Sequence, residues 1–112
     1  MLFCISADYT PAALVAMRNN PNTNRREAVS QLVEAAGGKI VDMYGTIRNG
    51  PGAILIIDVS DPQAAPVICG VIKSSGAVEN VQMNRLFAMD EIVQLRTKAA
   101  EIAGSYKSPG QQ

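Results

Sequence analysis

Few side chains in this sequence can do chemistry. Tyr44 offers a phenol that can donate or accept a hydrogen bond at a cavity wall. Four positions on, Arg48 could clamp a carboxylate through two parallel N–H bonds. Asp8 and Asp42 could share acid and base work if burial raised the pKa of one of them. Gln82 and Asn84 can orient a ligand carbonyl, and Ser6 and Thr46 add hydroxyls. Each has a plainer role beside the chemical one. Tyr44 can be an aromatic wedge at a subunit interface, and Arg48 a strand-end residue reaching to solvent. Asp8 can form a turn before Tyr9-Thr10, and Asp42 can be an exposed strand carboxylate or a partner for Arg85. Gln82 and Asn84 can bond across a dimer. No residue is assigned a catalytic role.

What is missing narrows the chemistry further. There is no histidine, so imidazole zinc sites, proximal-histidine haem, and Ser-His or Cys-His nucleophile pairs cannot form within one chain. Cys4 and Cys69 are far apart with no CxxC, and read as buried small apolar residues of a reduced cytoplasm. Gly50-Pro51-Gly52 precedes a strand-like run, so it lacks the helix N-terminus a phosphate loop requires. No haem, zinc, flavin or other cofactor is expected. Ten basic residues balance ten acidic ones, which argues against nucleic acid as a partner. The one basic pair, Arg25-Arg26, meets Glu27 at once and reads as a solvated helix face. The start, Met1-Leu2-Phe3-Cys4-Ile5, has no basic flank of a signal peptide; no apolar run approaches a membrane span, and the run Ala53 to Ile57 is strand-sized. A soluble cytoplasmic protein without a membrane partner is expected.

The elements that must position these residues follow from pattern and punctuation. Leu2 to Asp8 reads as a strand, and Thr10-Pro11 caps and opens a short helix to about Arg18. After Asn19-Asn20-Pro21-Asn22, Asn24 and Glu27 form a capping-box pattern. The helix it opens stripes Ala28, Leu32, Val33, Ala35 and Ala36, and Gly37-Gly38 ends it. Lys39 to Arg48 alternates as a strand, with Val41, Met43, Gly45 and Ile47 on one side. Asn49-Gly50-Pro51-Gly52 turns the chain into a third strand, Ala53 to Val59, whose apolar run predicts cover on both faces. Ser60-Asp61-Pro62 starts a helix to about Ser74, with Pro66 in its second turn expected to kink it or disturb its start. Val78 to Ala88 is a fourth strand, and Asp90 opens a last helix. Met43, Met83 and Met89 read as core fillers. Residues 1–103 form one domain, and 104–112 read as a disordered tail.

This β-α-β-β-α-β order predicts a ferredoxin-like α+β sandwich: a four-stranded antiparallel sheet, helices on one face, and an added C-terminal helix. The uncovered face should carry Cys4, Ser6 and Asp8; Asp42, Tyr44, Thr46 and Arg48; and Gln82 and Asn84. The third strand adds an apolar pair, Ile54 with Ile56 or Leu55 with Ile57. A mixed face of this kind predicts a second subunit packed on it around a partly polar cavity, where Tyr44, Thr46 and Asn84 should meet. The alternative is that the C-terminal helix folds across the sheet within one chain.

In order and spacing, Tyr9-Thr10-Pro11, Ala35-Ala36-Gly37-Gly38-Lys39, Tyr44-Gly45-Thr46-Ile47, Asp58-Val59-Ser60-Asp61-Pro62-Gln63-Ala64-Ala65 and Gly76-Ala77-Val78 resemble the GYD-domain family. These are small bacterial proteins similar to dimeric α+β barrel domains. The resemblance spans about residues 3–95. Where the family's Gly-Tyr-Asp turn should fall, this sequence has Gly50-Pro51-Gly52-Ala53, without the Tyr and Asp. The resemblance implies a homodimer and a fold, and defines no activity. The leading reading is a small-molecule-binding homodimer with a cavity between two sheets. Its rivals are a cofactor-free dimeric-barrel monooxygenase or isomerase, and a structural or regulatory interaction module.

Overall fold

A computed structural model describes residues 1–111. The strands are β1 (Leu2–Tyr9), β2 (Gly38–Ile47), β3 (Pro51–Val59) and β4 (Val78–Leu86); the helices are α1 (Pro11–Asn19), α2 (Arg25–Ala35), α3 (Ala64–Ser74) and α4 (Met89–Ile102). All four strands form one antiparallel sheet in the order β2-β3-β1-β4, which is the ferredoxin-like α+β architecture. Local chemistry fixes the helix starts. The Thr10 hydroxyl oxygen accepts from the Ala13 N–H at 3.3 Å, and Pro11 fills the first helical position. Asn24 Oδ1 accepts from the Glu27 N–H at 3.0 Å to open α2. After α2 the chain reverses through Gly37 at φ +84°, a conformation glycine adopts without steric cost.

One cluster forms the core. Phe3, Ile5, Leu55, Ile57 and Val59 come from the sheet, Val29 and Val33 from α2, and Ala64, Ala65 and Ile68 from α3. Phe3 pairs with Ile57 and Ile5 with Leu55, so these residues share a face, and both helices pack on it. The alternate residues of β3, Ile54 and Ile56, remain half-buried. The apolar run of β3 is therefore covered on one face only within a single chain.

Two bulges alter the expected alternation. Ile40 pairs with Ile57 and Asp42 with Ile56, so Val41 is an extra residue on β2. Ile40 and Met43 pack on the core, while Val41 is 47% exposed. Ile47, past the reach of the helices, is 82% exposed. The second bulge lies in β4, where Asn80 stands at φ +54°.

Other details differ from the sequence reading. Asp61 holds a turn, its Oδ1 accepting from the Gln63 N–H at 2.9 Å, so α3 begins at Ala64 and Pro66 falls in its first turn, where its missing N–H has no helical partner to lose. Val29 and Val33 are the buried residues of α2, while Ala28 and Ala35, expected on its buried stripe, are exposed. Cys4 and Cys69 are half-buried free thiols, Cys4 because its face has no cover. Met83 is 37% exposed and Met89 73%, so neither fills the core.

Nor does α4 fold across the sheet. It buries no residue and leaves Met89, Val93, Leu95 and Ile102 exposed. The Cα radius of gyration of 18.1 Å exceeds the roughly 13 Å of a compact domain this size, and the long axis reaches 60 Å. Beyond α4 come a 3₁₀ turn at Ala103–Ser105 and a bond from the Ser108 hydroxyl to Gln111 Oε1. Gln112, the end of the tail expected to be disordered, lies outside the described residues. No helix among the described residues is long and apolar enough to cross a membrane.

Candidate functional site

Strand register arranges the helix-free face in rows. One row reads Tyr44, Ile54, Ser6, Gln82 from β2 to β4; the next reads Asp42, Ile56, Cys4, Asn84. A third begins Thr46, Gly52, Asp8. The side chains expected on this face are on it. The third row differs because glycine stands where the others have isoleucine. A Cβ on Gly52 would collide with the Ala7 carbonyl oxygen and lie 2.9 Å from Thr46 Oγ1. Between Thr46, Arg48, Asp8, Ser6 and Ile54 the face sinks into a cleft of about 180 Å³.

Asp8 organises one side of this cleft. Its Oδ2 accepts from Asn80 Nδ2 at 3.1 Å and faces Arg48 Nη2 at 3.6 Å. The Arg48 side chain is 59% exposed, so the ion pair adds little stability. Asn80 gave no signal in the sequence, since only the bulge turns it toward Asp8. On the far edge strand, the Tyr44 hydroxyl donates to Asp42 Oδ2 at 2.8 Å. That bond, and then the carboxylate's charge, raise the Tyr44 pKa above its ordinary 10.0. Tyr44 stays protonated at neutral pH, as a hydrogen-bond donor.

The structure brings Ser6, Asp8, Thr46 and Arg48 together around the cleft, joins Tyr44 to Asp42, and sets Gln82 and Asn84 on the opposite edge strand. β2 and β4 are opposite edges of the sheet, three strand spacings or roughly 14 Å from one another. Gln82 and Asn84 therefore do not meet Tyr44 or Thr46 within a chain, and no single pocket joins Tyr44, Thr46 and Asn84. Asp8 and Asp42 form no acid–base pair, since one is bound to Arg48 and Asn80 and the other to Tyr44. Arg85 does not pair with Asp42; it stacks over the Phe87 ring, 4.4 Å from its centroid. Among the described residues, no group of three or more Cys, Asp or Glu is placed to hold a metal ion.

A second concavity, which the sequence reading missed, lies on the other side of the sheet beneath α2 and α3. Arg25 lines it, half-buried rather than on the solvated face expected of the Arg25-Arg26 pair.

Fold and face together define a ferredoxin-like α+β domain with one helix-covered and one open sheet face. The family model of the GYD domain matches residues 3–95, and the chain belongs to that family. No curated protein matches closely enough to serve as a relative.

Proposed function

We propose that the protein is a soluble, cytoplasmic homodimer that binds a small molecule in a cavity between two sheets packed through their helix-free faces. The observation that carries this reading is the half-buried pair Ile54 and Ile56 on a central strand, beside a polar cleft. Covering what remains exposed of each contributes up to about 1.5 kcal/mol, while the hydroxyls, Asp8 and Arg48 need solvent or a ligand. A second copy meets both demands, sealing the isoleucines and turning the cleft into a closed space. The exposed guanidinium of Arg48 suits a ligand carboxylate. The free thiols Cys4 and Cys69 fit a reducing compartment.

An enzymatic reading has less support. Tyr44 is held as a neutral donor by Asp42, and Asn84 stands on the other edge strand, so one chain does not bring Tyr44, Asp42, Asn84 and Arg48 to one point. The proposal is tested by methyl NMR of the purified protein with small polar carboxylates. Saturable shifts at Thr46 and Ile54 are expected. Ligands that never shift these methyls would refute binding between the sheets.

A further inference from the structure

The helix-covered side of the sheet is not filled along its whole length. At one end Phe3, Ile57 and Val59 pack against Val33, Ala65 and Ile68. At the other, four alanines stand where larger residues would close the gap. Ala7 and Ala53 face each other across β1 and β3 as a floor, Ala28 comes from α2, and Ala77 follows α3. They leave a chamber of about 160 Å³, walled by Leu32 and Leu55 and open to solvent past the exposed Val71. A space of roughly this size has room for a benzene-sized molecule.

The polar residues that line it are Tyr9, Arg25 and Ser75. Tyr9, Arg25 and Ala77 line both this chamber and an adjoining groove of about 280 Å³ beside α1. Arg25 is half-buried there, yet pairs with no carboxylate; among the described residues the one ion pair between side chains is Arg48–Asp8. A guanidinium that lines an apolar chamber without a carboxylate partner is matched by a carboxylate that accepts two of its N–H bonds. The chamber then takes what is attached to that carboxylate.

We propose that this chamber binds a small monocarboxylate with an apolar tail about the size of a benzene ring, the tail under α2 and α3 and the carboxylate on Arg25. The site is complete within one chain and lies on the opposite side of the sheet from the Arg48 cleft, so it is independent of the dimer reading.

The test is titration of the full chain with phenylacetate, hexanoate and, as a neutral counterpart, hexanol, followed by methyl NMR. Saturable shifts are expected at Ala28, Ala53, Leu32 and Leu55, with the acids binding at least tenfold more tightly than hexanol. Arg25→Gln should remove that advantage and leave hexanol affinity unchanged, while Arg25→Lys should restore part of it. Ala28→Leu, a substitution α2 accepts readily, should block all three compounds by filling the chamber. The proposal is overturned if acids and alcohol bind equally to the unaltered protein, or if Arg25→Gln leaves acid affinity unchanged. Shifts confined to Thr46 and Ile54 would also overturn it, by placing the acids in the other cleft.

Discussion

Replacing Ile56 by lysine separates the fold of one chain from its assembly. Ile56 pairs with Cys4 and Asp42, in the row that points away from the helices, and is half-buried in the single chain. A lysine there can extend into water, so monomer stability should change by no more than about 1 kcal/mol. In a twofold dimer the substitution occurs twice. Ile56 is already half-buried in one chain, so covering the rest contributes up to about 1.5 kcal/mol per copy and the loss across the interface is up to about 3 kcal/mol. That is up to roughly a 10²-fold rise in the dimer dissociation constant, before the burial of two ammonium groups is counted. Sedimentation equilibrium would measure the constant, with far-UV circular dichroism confirming the fold. An unchanged dissociation constant would show that this face is not the interface. An unfolded variant would show that Ile56 belongs to the core, contrary to its register.

Gly52→Ala should destabilise the domain by about 1–3 kcal/mol, because the added methyl meets the Ala7 carbonyl and two strands must separate. Urea unfolding would show the midpoint falling by roughly 1 M with the slope unchanged. Tyr44 should titrate above 10.0, and Asp42→Asn should lower its midpoint, as read from its ring signals by NMR. The folded state holds this proton more tightly than the unfolded chain does. The associated stability is thus complete below the unfolded pKa and lost as pH rises through the folded one. A Tyr44 midpoint that ignores Asp42→Asn would remove the hydrogen bond from the account.

Much of this arrangement was legible in the sequence, because local signals carried it. Thr10-Pro11 and Asn24 cap helices where their chemistry requires, and period-two alternation assigned Cys4, Ser6, Asp8, Asp42, Tyr44 and Thr46 to one face. Alternation gives the face of a residue but not its column. Tyr44 and Asn84 share a face yet stand on opposite edges, which depends on strand order and not on pattern. A bulge is likewise invisible locally. Val41 is as apolar as Ile40, and only pairing with β3 decides which of them meets the core. Arg25 was hidden for a related reason: its neighbours Arg26 and Glu27 are exposed, and the concavity it lines is shared with Tyr9 and Ala77, which are distant in the chain.

The central claim is that two copies close over the helix-free face. Sedimentation velocity at micromolar concentration tests it most directly. The account predicts a single species of twice the 11.9 kDa chain mass, and a species of one chain mass at those concentrations would contradict it.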